Sequence, residues 1–144
     1  MKTFWKLNGL SALFSLFPFI GIEMYLNVYR LSRLTGRTVE QVELWAEYGF
    51  ILGSVLFSIL FIWLTNRIGK GRLVSFFSVV MWVPYFVLFV YILATWYPMT
   101  DPADDPGPAA GLVAMGGLIA YPFYLAVIVA LSLAIGRLQG KSAK

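Results

Sequence analysis

Four long stretches with almost no formal charge constrain this chain more than any other feature. Leu7 to Tyr29 is uncharged until Glu23. Tyr48 to Thr65 runs 18 residues without a charge, Leu73 to Thr100 runs 28, and Pro106 to Gly136 runs 31. A hydrocarbon core about 30 Å thick is crossed by about 20 helical residues. None of the stretches shows the alternating pattern of an outer-membrane barrel strand. The sequence therefore predicts an all-α integral membrane protein. The expected fold is a compact four-transmembrane-helix bundle with antiparallel helical hairpins. Its spans lie near 7–29, 46–66, 73–97 and 111–135, in one membrane domain covering 1–144.

Composition closes off the soluble alternative. Only 12% of the 144 residues are charged and 60% are hydrophobic, with a mean hydropathy of +0.78. A soluble domain carries roughly 25% charge. The chain has no cysteine and no histidine. That removes disulfides, thiol nucleophiles, thiolate and imidazole metal ligands and the commonest general base. No cofactor and no catalytic constellation are expected, and whether the chain is an enzyme stays open with the balance against it.

The basic residues suit membrane topology better than nucleic acid, which is not an expected partner. Arg67, Lys70 and Arg72 lie between the second and third stretches, Arg137, Lys141 and Lys144 follow the fourth, and Lys2 and Lys6 precede the first. Arg67, Lys70 and Arg72 would also meet anionic lipid headgroups. By the positive-inside rule both termini are cytoplasmic in a multi-pass cell-membrane protein. A basic N-terminus before an apolar run also fits a signal peptide, but no clean small-residue cleavage site follows. Trp5 and Trp63 would mark the inner interface, and Trp45, Trp96 and Tyr97 the outer one. Trp82 falls outside this belt, at mid-membrane near Pro84 and Tyr85.

The external connections differ. Arg30, Arg33 and Arg37 recur at helical spacing, as do Glu40, Glu43 and Glu47. Gly36 suits a helix C-cap, and Thr38 with Gln41 a capping box. These features predict an extended outer helical hairpin over about 30–47. Arg37 would face Glu40, Arg33 would face Glu43 and Arg30 would face Glu47. The hairpin reads as a self-neutralising solvated connection, a docking surface for a partner or an ion funnel. The stretch Pro98 to Pro108 is acidic and rigid. Pro102 and Pro106 break any calcium-loop spacing among Asp101, Asp104 and Asp105, so it reads as a solvated connection rather than a metal site.

Within the spans, Glu23 is the most informative residue. It lies 16 residues after Leu7, about 24 Å along a helix, toward the outer end. Asn27 and Arg30 follow on roughly the same face. An intramembrane carboxylate needs a helix interface, water or a positive partner. Glu23, Asn27 and Arg30 are thus a structural network, a gating, proton or substrate site, or a contact to another subunit. Small residues four apart let helices approach closely. They occur at Gly49 and Gly53, at Gly116 and Ala120, and at Ala126, Ala130 and Ala134. The flat small-residue face of the fourth span is the expected outward docking face. Pro18, Pro84 and Pro122 each remove a helical hydrogen bond and can kink their spans.

The leading functional expectation is a non-catalytic accessory or structural subunit. It would stabilise, assemble or regulate a larger membrane protein complex through helix–helix packing, surrounded by membrane lipids. The alternative is a small homo-oligomeric transporter or channel using Glu23 in the membrane. A membrane enzyme and a lipid- or small-ligand-binding protein are further options.

Overall fold

The structure is a computed structural model and describes residues 2–69 and 77–142. Among the described residues all regular structure is helical. The elements are α1 (Lys2–Leu26), α2 (Val28–Thr35), α3 (Val39–Gly69), α4 (Ser78–Trp96), a 3-10 turn (Pro102–Asp104) and α5 (Gly107–Ser142). Four of the helices are long and apolar enough to cross a membrane: the stretches Phe4–Leu26, Val39–Arg67, Val79–Trp96 and Gly107–Gly136. The chain reads as a multi-pass membrane protein. At 1.5 Å per residue, α3 and α5 with 31 and 36 residues exceed a 30 Å core. Of the basic connection, Lys70, Gly71 and Arg72 lie outside the described residues.

Helix ends follow local chemistry. Gly36 closes α2 in the left-handed conformation, at φ 66°, where only glycine is free of strain. The Gln41 N–H donates to Thr38 Oγ1 at 3.3 Å, capping α3 as the sequence expects. Tyr97 precedes Pro98, which disfavours helical backbone at the residue before it, and α4 ends there. The 3-10 turn is capped by Asp101, whose side chain accepts from the Ala103 N–H at 2.9 Å. Asp105 accepts from the Gly107 N–H at 2.9 Å as α5 begins.

Helix α1 is the centre of the packing and touches α3, α4 and α5. Its contacts with α3 run antiparallel: Phe14 meets Phe61 at 4.5 Å between ring centroids, and Phe17 meets Phe57 at 5.1 Å. Its contacts with α4 run parallel, with Asn8 against Tyr85 and Phe19 against Phe89. Helices α3 and α5 also run parallel, through Ser58 to Tyr124 and Ser132 to the Ile62 carbonyl. The buried core gathers Leu10, Phe14, Phe17, Phe61, Trp82, Tyr121, Leu125, Ile128, Val129 and Leu133. Trp82 is thereby explained: it turns inward, edge-on to Tyr121 at 4.8 Å, instead of toward a membrane interface.

Pro18 has a specific consequence. Lacking an N–H, it leaves the Phe14 carbonyl without its usual acceptor role four residues back. Tyr121 of α5 donates its hydroxyl to that carbonyl. A neighbouring helix thus replaces the backbone bond that proline removes, as a lipid environment requires.

Close helix approach uses different glycines from those the spacing motifs single out. A Cβ on Gly21 would stand 3.0 Å from the Phe50 ring, and one on Gly136 would stand 2.6 Å from Asn66 Oδ1. Gly53 faces the Phe17 ring at an ordinary 3.5 Å, whereas Gly49 meets nothing within 4 Å.

Candidate functional site

Helix α1 breaks at Asn27, whose φ and ψ of −102° and 19° leave the helical region. The Asn27 backbone N–H and its Nδ2 both donate to the Glu23 carbonyl, at 3.0 and 2.9 Å. The same Nδ2 lies 3.0 Å from Glu23 Oε2. One asparagine therefore satisfies the bend and holds the carboxylate against its own helix.

Glu23, Asn27 and Arg30 line one cleft of about 650 Å³ between α1, α2, α4 and the connection after α4. Its other walls are mainly apolar, including Phe19, Ile20, Val90, Leu93 and Ala94. Arg30 does not complete the expected polar network by pairing with Glu23. Its Nη1 donates to the Tyr97 carbonyl at 2.9 Å, an acceptor freed where α4 stops. Among the described residues Glu23 forms no ion pair, and it is half-buried.

The hairpin pairing expected from spacing is corrected by the structure. Arg33 does not meet Glu43. It grips Asp104 through two bonds, Nε to Oδ1 at 3.0 Å and Nη2 to Oδ2 at 2.6 Å, with Asp101 at 3.7 Å. Arg37 stacks over the Trp45 ring at 4.6 Å instead of pairing with Glu40. Arg30 is committed to Tyr97 instead of Glu47. The reason lies in the geometry of α2. Val28, buried together with Val42 and Ala46, marks the apolar side of this end of the molecule. At about 100° per residue, Arg30 and Arg33 stand roughly 140–200° round from Val28. The arginine stripe consequently faces the α4–α5 connection.

Asp104 is also no longer a solvated loop carboxylate, since its side chain is 3% exposed. The hydrogen bond from Arg33 holds its carboxyl below the usual carboxylate range, against the opposing effect of burial and aided by the charges of Arg33 and Arg30. The bond to Asp104 and its charge raise Arg33 above its ordinary value.

Glu40, Glu43 and Glu47 lie exposed along the first turns of α3. Glu43 and Glu47 border a second cleft of about 510 Å³ with Tyr25, Phe50, Ala114 and Gly117. On α5, Gly116, Ala120, Ala130 and Ala134 face away from the core, while Ala126 is half-buried. The face is not flat, however, because Phe123 and Val127 project from it between the small residues.

Sequence reasoning missed the polar contacts that tie the long helices together. Tyr85 donates to Asn8 Oδ1 between α4 and α1, and Ser132 donates to the Ile62 carbonyl at 3.0 Å. Ser58 and the Tyr124 hydroxyl lie 2.6 Å apart. Their only sequence signal is a hydroxyl or amide inside an apolar run. Among the described residues no group of three or more acidic side chains could hold a metal. Comparison with protein-family models, curated proteins and solved structures finds no match for this chain.

Proposed function

We propose that this chain is a non-catalytic accessory or structural subunit of a larger membrane protein complex, formed as a four-helix bundle with both termini cytoplasmic. The observation that supports it is the outward face of α5, where Gly116, Ala120, Ala130 and Ala134 are exposed on either side of Phe123 and Val127. Exposed alanine and glycine let a second helix approach within backbone contact, and projecting aromatic and branched side chains give such a contact its register. The basic residues of the N-terminus, the α3–α4 connection and the C-terminal end support this orientation through the positive-inside rule.

The test is co-purification from the native membrane in a gentle detergent. The chain is expected to carry a companion at fixed stoichiometry, and Ala130→Trp on the outward face is expected to release it without changing the thermal stability of the chain. A companion retained by Ala130→Trp would oppose this use of α5.

A second reading, a small homo-oligomeric transporter or channel, is favoured by a different observation. Glu23, Asn27 and Arg30 line a common cleft between α1, α2 and α4. Flux through reconstituted vesicles that is abolished by Glu23→Gln would support it, and unchanged flux would remove Glu23 from any such pathway.

A further inference from the structure

We propose that the α1–α4 cleft is a binding site for a hydrophobic organic cation, with the charge of the ligand against Glu23. This deepens the second reading by naming a ligand class, but it concerns binding, which is measured without any flux. The cleft volume of about 650 Å³ lies within the roughly 300–1,000 Å³ of small-ligand pockets.

Charge complementarity selects the ligand. Glu23 is a half-buried carboxylate in mainly apolar walls, with Asn27 as its only side-chain hydrogen-bond partner and no cation paired to it among the described residues. Arg30, the other charged residue of the lining, points to the Tyr97 carbonyl. A carboxylate in such a setting favours a positive partner. A hydrated metal ion is a poor candidate, because hard cations require about six or more oxygen ligands and the cleft supplies one carboxylate. A cation sheathed in apolar groups loses little hydration on entering. It can also use the ring of Phe19, one helical turn before Glu23 and in the lining, for cation–π attraction.

The order of charges along the cleft disfavours a zwitterionic phospholipid. From the apolar end near Phe19 and Val90, Glu23 comes first and Arg30 follows seven residues later, beyond the break at Asn27. A phospholipid with its tails at that apolar end presents its phosphate first and its ammonium second. It would therefore place phosphate at Glu23 and ammonium at Arg30. A monocation carrying its charge among its apolar groups fits the observed order.

The experiment measures tetraphenylphosphonium binding to the purified full chain in detergent by equilibrium dialysis. Saturable binding is expected at one cation per chain. Glu23→Gln is expected to weaken it at least about tenfold, and Glu47→Gln, at the other cleft, to leave it unchanged. Tetraphenylborate, of similar shape and opposite charge, is expected not to bind. Ala94→Trp, which fills the cleft and keeps the carboxylate, is expected to abolish binding. It therefore decides the matter if Glu23→Gln does not fold. Non-saturable uptake, equal binding of the borate anion, or full binding by a folded Glu23→Gln or Ala94→Trp variant would overturn the proposal.

Discussion

Arg33 and Asp104 form a two-bond charge pair at the edge of the molecule, with the carboxylate buried and the guanidinium half-exposed. Removing Arg33 strands a buried negative charge, which is worse than removing both partners. Arg33→Ala is therefore expected to lower the unfolding temperature more than the double variant Arg33→Ala with Asp104→Ala. The pH dependence has a defined sign. Because the folded state holds Asp104 below its ordinary 3.8, the pair stabilises fully at pH values above that figure. The contribution fades as pH falls from there through the lowered folded value. Thermal scans at pH 7 and pH 3 should show the gap between the wild type and Asp104→Asn narrowing at the acidic end. Tyr121 offers a second residue-scale test. Tyr121→Phe leaves the Phe14 carbonyl unpaired and is expected to cost about 1 kcal/mol, in the range of interhelical bonds in membranes. In a Pro18→Ala background a backbone N–H returns to that carbonyl, and the cost should fall toward zero. A double-mutant cycle of unfolding free energies reads the coupling.

At the scale of elements, the apolar runs were legible because lipid demands apolar side chains along a whole span, leaving little room for another assignment. The caps were legible too, since Gly36 and Thr38 act through neighbours within a few residues. The partners of each helix were not. Spacing places Arg30, Arg33 and Arg37 on one stripe, but only the packing around Val28 decides that this stripe faces Asp104 and Tyr97 instead of Glu43 and Glu47. The glycines make the same point. Gly49 belongs to a small-residue motif singled out above yet meets open space, whereas Gly136, outside the motifs singled out, lies against the Asn66 side chain. In Gly136→Ala the new methyl displaces Asn66 Oδ1, the far end of a flexible side chain, so the cost to the α3–α5 contact is expected to stay within about 1 kcal/mol, offset in part by the better helix propensity of alanine. Gly49→Ala should be neutral or slightly stabilising, as expected for a helical glycine with room for a methyl. Unfolding of the two variants in the same detergent compares them directly. Phe14→Ala, in the fully buried α1–α3 ring contact, is expected to cost about 3–5 kcal/mol.

Over the whole molecule, α1 organises the packing and α4 contacts chiefly α1. Past the break at Asn27, Arg30, Leu31 and Leu34 of α2 join the lining of the cleft, and the contacts of Arg30 and Arg33 hold that end against the α4–α5 connection. Glu23, Asn27 and Arg30 were singled out by polarity within or at the edge of an apolar run, but the cleft they line requires the parallel approach of α1 and α4, which no local pattern specifies. The opposite face of α5 is left for a partner in the accessory-subunit reading. That reading is tested most directly by native mass spectrometry of the chain extracted from its own membrane into lipid nanodiscs. It predicts a discrete assembly heavier than the 16.2 kDa chain, containing a different protein at fixed stoichiometry and lost in the Ala130→Trp variant. A species of one chain with lipid alone, identical in the wild type and the variant, would contradict it.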